Sequence, residues 1–349
     1  MKNLSLRTWI SIATFALIGV ILYFARHELE QAWNLLGRVD VWILLLLIPL
    51  VMLSYLTVGE MIFSYLRQKN LIKNMSLLSQ MRVSLELNFV NHVLPSGGVS
   101  GLSYMNWRLR RLGVRSGHST MAQAVRYTTG FAALATLLAV AVLMVTIDGT
   151  VNRWIILMSS TLVTFMIMVT FGCMFLFSSV SRMHKVANWV TRVLNRLAKR
   201  LTRGRVTRVV KQQTIVNFLD DVYEDYTSLM REKRVLWQPY LWGIVFTAIE
   251  IAIFWVVFWS LGSPVNPAPI LIAYGLASIA GFIVVTPGGA GAYEAIMVFV
   301  LAIAGMNQGE AIAGIILARA IVLMVTIVFG WIFYQQAVMK YGKRPNPNI

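Results

Sequence analysis

Ile270–Ala304 reads ILIAYGLASIAGFIVVTPGGAGAYEAIMVFVLAIA, and in these thirty-five residues the only Asp, Glu, Lys or Arg is Glu294. The first half, Ile270–Val285, is about sixteen residues long and stops at Thr286-Pro287-Gly288-Gly289-Ala290-Gly291. The apolar run that follows, Tyr293–Ala304, is shorter still. Crossing a hydrocarbon core of roughly 30 Å takes about twenty helical residues, so neither half crosses unaided. Lipid offers no partners to an exposed backbone, which keeps both halves helical. Pro287 ends one half-helix, and the glycines let the chain turn through conformations that a side chain would forbid. The economical reading is a re-entrant helical hairpin.

The rest of the 349-residue chain fits that setting. It is 58% hydrophobic and only 13% charged, against about a quarter charged in soluble domains. Full-length spans are expected at Trp9–Ala25, Val41–Leu66, Thr120–Ile147, Trp154–Phe177, Tyr240–Leu261 and Ala311–Tyr334. Lys2 and Arg7 precede the first of these as in a signal peptide. Tyr23-Phe24-Ala25-Arg26-His27 offers no small-x-small cleavage site, which predicts a retained first helix. Ser76–Leu94 is apolar but holds Arg82, Glu86, Asn88, Asn91 and His92, and it stops at Pro95-Ser96-Gly97-Gly98, the pattern of a second hairpin. The fold class is an all-α polytopic membrane protein with about six full transmembrane helices and two re-entrant helical hairpins.

Basic residues orient the chain. Ser178–Trp237 holds thirteen Lys and Arg, between Arg182 and Arg234, whereas Gly262–Pro269 and Gly305–Glu310 hold none. With the basic stretch in the cytoplasm, Arg67, Lys69, Lys73, Arg108, Arg110, Arg111, Arg115, Lys340, Lys343 and Arg344 also fall inside if both hairpins return to their own side. Both termini then lie in the cytoplasm, and the hairpins enter the membrane from opposite faces. The two segments resemble each other: Pro95-Ser96-Gly97-Gly98 is followed by Gly113 and Arg126, and Pro287-Gly288-Gly289 by Gly305 and Arg319 at similar distances. Similar units in opposite orientation form an inverted repeat, the architecture of many transporters. One transmembrane domain, 1–349, is expected. It contains a first hairpin and following helix at 76–126, a basic cytoplasmic amphipathic region at 178–237, and a second hairpin and following helix at 270–319.

Ionisable residues inside spans cost roughly 2.5–3.5 kcal/mol on insertion scales and usually face a partner or a cavity. Here they are Arg126, Glu250, Glu294 and Arg319, with Glu86 in the first hairpin. Guanidinium groups grip phosphate through two points, so Arg126 and Arg319 are candidate headgroup ligands, with Glu250 and Glu294 orienting them. The alternative is a pair of buried ion pairs that fix helix register. Gly288, Gly289 and Gly291 precede a helix whose free N–H groups favour an anion, unless Glu294 caps that helix itself. Gly97, Gly98, Asn91 and His92 are candidates to line the same cavity. The basic stretch 182–211 has apolar residues at helical spacing and reads as an amphipathic helix on an anionic leaflet, a better account of the net charge of +17 than nucleic acid. A solvated linker is the other reading.

No enzyme signature appears: no P-loop, no nucleophile elbow and no His-Glu-x-x-His. One cysteine, Cys173, and four scattered histidines give no metal or cofactor spacing.

Asn91-His92-Val93-Leu94-Pro95-Ser96-Gly97-Gly98, Arg126, Thr286-Pro287-Gly288-Gly289-Ala290-Gly291-Ala292-Tyr293-Glu294 and Arg319 together resemble the transmembrane region of lysylphosphatidylglycerol synthetases, the flippase-like domain that also occurs alone. The resemblance runs from roughly the first helix to the last. It implies translocation of a phospholipid, anionic or aminoacylated, with Glu294 and Arg319 matching the motif of the second half and Arg126 the arginine of the first. The chain stops at Ile349, which leads us to expect no lipid-synthesising domain. Gly101-Leu102-Ser103 stands where many relatives carry an acidic residue, a departure that weakens the equivalence of the two hairpins. The alternative function is a non-transporting membrane partner that docks a separate lipid synthase or glycosyltransferase. An intramembrane enzyme using Glu250 or Glu294 as a base ranks below both, and a homo-oligomer is compatible with any of them.

Overall fold

The computed structural model describes residues 39–72, 75–93, 99–147, 153–185, 226–229, 231–263, 265–283 and 291–341, with Glu30, Gly37, Asn188, Trp189, Arg192 and Tyr223 as isolated positions. The expected first span Trp9–Ala25, most of the basic stretch 182–211 and both glycine-rich turns (94–98 and 284–290) lie outside these residues.

Asp40 starts the first described helix by accepting hydrogen bonds from the Trp42 and Ile43 amides. Helix α1 (Val41–Leu45) runs into α2 (Leu47–Gln68), followed by α3 (Leu77–Val93), α4 (Val99–Arg110), α5 (Ser116–Ile147) and α6 (Arg153–Phe177). A 3-10 turn at Lys233–Leu236 leads into α7 (Trp237–Ser260), then α8 (Pro267–Ile283), α9 (Ala292–Ile303) and α10 (Gln308–Tyr341). Four stretches, Val41–Gln68, Ser116–Leu143, Lys233–Ser260 and Gln308–Tyr341, are long and apolar enough to cross a bilayer. The 25-residue α6 fills the span expected at Trp154–Phe177. Leu143, Met168, Phe171, Phe299 and Met324 point outward with more than half their surface open, an apolar belt that water would not tolerate on this scale. The chain is an all-α polytopic membrane protein.

Element lengths repeat. Helices α2, α3, α4 and α5 have 22, 17, 12 and 32 residues; α7, α8, α9 and α10 have 24, 17, 12 and 34. Their ends repeat as well. The Val114 amide donates to the Leu109 carbonyl beside Gly113 at φ +89°, and the Met306 amide donates to the Leu301 carbonyl beside Gly305 at φ +93°. This is the left-handed cap that lets a helix stop and its last carbonyls stay satisfied. Leu71 to Leu66 beside Asn70, and Ser263 to Phe258 beside Gly262, close α2 and α7 in the same way. The register is uniform: Leu66 matches Phe258, Pro95 matches Pro287 and Leu109 matches Leu301, all with one separation. No gap is needed between these points, and the arginines Arg126 and Arg319 fall one residue out of that register.

The two units are antiparallel. The Asp40 amide donates to the Ser260 carbonyl at 2.9 Å, and Gln68 Nε2 donates to the Val235 carbonyl at 3.2 Å, so the start of α1–α2 meets the end of α7 and vice versa. Packing exchanges between units: α5 lies on α7 and α8 of the second, while α10 lies on α2 and α3 of the first. Hairpin α3–α4 therefore opens at the end of the bundle that holds Arg67, Lys69, Arg110, Arg115 and Lys340, and hairpin α8–α9 at the other. At 1.5 Å per residue, seventeen and twelve residues reach about 25 and 18 Å, short of a full crossing.

Close packing of α3 on α10 depends on Gly330. A Cβ there would come within 2.6 Å of Phe89 Cβ and 3.0 Å of the Leu85 carbonyl oxygen. Gly330→Leu should cost about 1–3 kcal/mol through overpacking, read as a lower midpoint of thermal unfolding in detergent. Val328→Leu, at a position 49% exposed, should leave the midpoint unchanged.

Candidate functional site

Between the two units lies a cavity of about 130 Å³ whose wall includes Arg126 from α5, Arg319 from α10, Glu250 from α7, and Asn88 and His92 from α3. Ser54 and Tyr55 of α2 complete its polar side. Four residues expected from the sequence thus share one chamber: Arg126, Arg319, Glu250 and His92.

The two arginines sit in unlike surroundings. Arg319 Nε donates to Glu294 Oε1 at 2.8 Å, and its guanidinium lies 4.5 Å from the Tyr293 ring centroid. Glu294 has a second role, because its Oε2 accepts the Gly291 amide at 2.7 Å where α9 begins. Gly291 has φ +87°, a conformation open to glycine at little cost. One carboxylate therefore caps α9 and anchors Arg319, and the amide that an anion would have used at Gly291 is already taken. Gly288, Gly289, Gly97 and Gly98 belong to the turns outside the described residues.

Arg126 has no such anchor. Its Nη1 is buried without a hydrogen-bond partner, and the group makes no ion pair with another described residue. Its guanidinium lies 5.1 Å from the ring centroid of its neighbour Tyr127. The uniform register explains the difference: Glu294 of the second unit corresponds to Leu102 of the first. Leu102 offers its carbonyl to Gln123 Nε2 at 3.3 Å and brings no charge.

Glu250 accepts from Ser54 Oγ at 2.6 Å. His92 Nδ1 donates to the Asn88 carbonyl at 2.8 Å, which leaves Nε2 as the ring's other polar atom. Tyr55 OH and Thr326 Oγ1 are joined by a hydrogen bond that ties α2 to α10. Asn91, expected to line the chamber, turns to its own hairpin instead: its Oδ1 accepts the Gly101 amide at 2.9 Å. Asn91 lies three residues beyond Asn88 and one before His92, and the partner arm of the hairpin needs a side chain to hold its first turn. Ser54, Tyr55 and Asn88 were not expected at the site. The signal available for them was polar side chains in mid-span, which usually bond to a neighbouring helix. Glu60, 2% exposed and paired with Arg67 at 2.5 Å, is another buried acid that sequence reading passed over. Among the described residues no three His, Cys, Asp or Glu side chains come together to hold a metal ion.

The Arg319–Glu294 contact has a measurable signature. In a double-mutant cycle, Glu294→Gln and Arg319→Gln should couple by about 0.5–3 kcal/mol. Glu294→Gln and Arg126→Gln should be additive within about 0.5 kcal/mol in detergent unfolding.

The family described as the lysylphosphatidylglycerol synthase TM region matches residues 8–330. The chain is also 23% identical over 315 residues to a UPF0104 membrane protein of Methanothermobacter thermautotrophicus, a match that covers 89% of each. The family match takes in both hairpins, both arginines and every residue that lines the chamber, and the chain belongs to the lysylphosphatidylglycerol synthase TM-region family.

Proposed function

We propose that the protein moves a phospholipid between the leaflets of a prokaryotic plasma membrane, its headgroup phosphate held by Arg126 midway between the two opposed hairpins. The observation that carries this reading is the buried, unpaired Nη1 of Arg126 in a polar chamber. A guanidinium in the span is costly unless an anion meets it, and a phosphodiester offers two oxygens to its fork. Ser54 and Tyr55 line the same wall with their protons already given to Glu250 and Thr326, while Asn88 Nδ2, which donates to the Ser84 carbonyl at 2.9 Å, keeps a second N–H for a headgroup oxygen. The family name attaches the fold to lysylphosphatidylglycerol, whose phosphodiester stays anionic while its lysyl ester adds two ammonium groups, and an acidic or aminoacylated headgroup fits a chamber with two arginines and Glu250.

Passage through the chamber follows from the pairing. A phosphate leaving Arg126 meets Arg319 next. Glu294 gives way without becoming unsatisfied, because the Gly291 amide still holds it. The basic end of the bundle faces the cytoplasm in this reading, as the positive-inside rule requires, and both termini lie there. No bond is made or broken, so the activity is transport rather than catalysis.

The test uses purified protein in liposomes with a fluorescent phosphatidylglycerol, quenched from outside by dithionite. Wild-type protein should expose the inner-leaflet probe. Arg126→Gln should slow this at least tenfold, and Arg126→Lys, which keeps the charge but loses the fork, should fall between. Leu102→Glu restores the acid that the repeat lacks and should also slow lipid movement, while raising the unfolding midpoint. Lipid movement in Arg126→Gln at the wild-type rate contradicts the mechanism. A chain that is inert alone and copurifies with a lipid synthase favours the docking role instead.

A further inference from the structure

A second cavity, of about 150 Å³, lies at the basic end of the bundle, walled by the first turns of α3, the last turns of α4 and the end of α10. It shares no lining residue with the chamber around Arg126. Along α3 the pocket is lined by Ser79, Arg82 and Glu86 and the chamber by Asn88 and His92, with about 15 Å of helix between Arg82 and His92 at 1.5 Å per residue. Between them stands an aromatic cluster in which the Tyr334 ring lies 5.5 Å from Phe89 and 5.6 Å from Tyr104.

Three cations, Arg82, Arg108 and Lys340, face this space with one carboxylate, Glu86. That carboxylate is committed: its Oε2 accepts from Tyr104 OH at 2.9 Å and from Arg108 Nε at 3.0 Å. The Arg108 side chain is 10% exposed, and its Nη1 is buried with no hydrogen-bond partner. Its guanidinium is stacked 4.5 Å from the Tyr341 ring centroid, which fixes the direction of the fork. Arg82 rests 4.7 Å from the Phe333 centroid and makes no ion pair among the described residues. Lys340 lies 5.4 Å from the Tyr341 centroid and likewise makes none among them. One buried and two exposed cations around one shared acid leave an excess of positive charge at a pocket far larger than the roughly 10–15 Å³ that one water needs. Such a set matches the several oxygens of a phosphate, two arginine forks and one point charge converging on one group. Phe333 and Ala337 make part of the wall apolar, which suits a headgroup that brings a glycerol and acyl ester with it better than a free ion.

We propose that Arg82, Arg108 and Lys340 form a second phosphate site, at the basic end of the bundle, which holds the headgroup of an acidic phospholipid. It does not depend on lipid translocation. A lipid held there also serves as a fixed anchor between the first hairpin and α10.

The test counts lipid adducts by native mass spectrometry on the full chain in an uncharged detergent, titrated with phosphatidylglycerol, phosphatidylcholine or inorganic phosphate. Arg82→Gln combined with Lys340→Gln leaves the Arg108–Glu86 bond in place and keeps the fold, checked by thermal unfolding. This double variant should lose one phosphatidylglycerol adduct, the occupancy of that site falling at least fivefold, with phosphatidylcholine unaffected. Arg126→Gln should keep the adduct that the double variant loses. Displacement of phosphatidylglycerol by millimolar inorganic phosphate, itself lost in the double variant, leaves the site in place and makes free phosphate its source. A folded double variant that binds phosphatidylglycerol and phosphate as wild type does, or loss of the adduct in Arg126→Gln alone, overturns the assignment.

Discussion

A guanidinium that cannot lose its charge, half-buried in the middle of a membrane span, must find an anion or a fixed set of acceptors. Two arginines from symmetry-related helices meet this requirement in different ways here. Arg319 is answered from within by Glu294, whose other oxygen closes the first turn of α9. Arg126 is answered by nothing among the described residues. The pair shares one chamber, so the difference between them is a difference in what the chamber still wants. That residual demand for negative charge is the feature on which the functional reading rests.

The fold supplies the chamber through antiparallel repetition. The arms of the two hairpins are equal in length, and the two units run in opposite directions. Helices α5 and α10 each leave their own hairpin and pack on the other unit, which carries Arg126 and Arg319 into the space between the units. Strict symmetry would have given each arginine its acid. The first unit departs at Leu102, and Arg126 is left without the acid that Arg319 has. Repetition builds the scaffold, and its local failure makes the scaffold useful.

Much of the architecture is written in segment lengths. Ile270–Val285 and Tyr293–Ala304 became Pro267–Ile283 and Ala292–Ile303, because a proline and glycines between two runs too short to span leave few options. Arg126 and Arg319 were legible as partners because each follows a glycine-rich turn at a like distance. Side-chain direction was not legible. Asn91 and Asn88 differ by three residues on one helix, and only the position of the partner arm decides that the first holds Gly101 while the second faces the chamber. Ser54 and Tyr55 lie in an apolar run where composition gives no hint that they meet Glu250 and Thr326, far along the chain. Arg82, Arg108 and Lys340 were hidden for another reason. Cations near span ends are expected from topology alone, so nothing in the sequence distinguishes three that converge from three that merely face water.

The most direct measurement is an experimental structure of the protein in nanodiscs that contain phosphatidylglycerol. The account predicts phosphate density in the central chamber within about 2.7–3.2 Å of the Arg126 guanidinium, with Arg319 still bonded to Glu294 or sharing the same phosphate. A chamber that holds only water, with Arg126 turned onto a protein carboxylate, would contradict it.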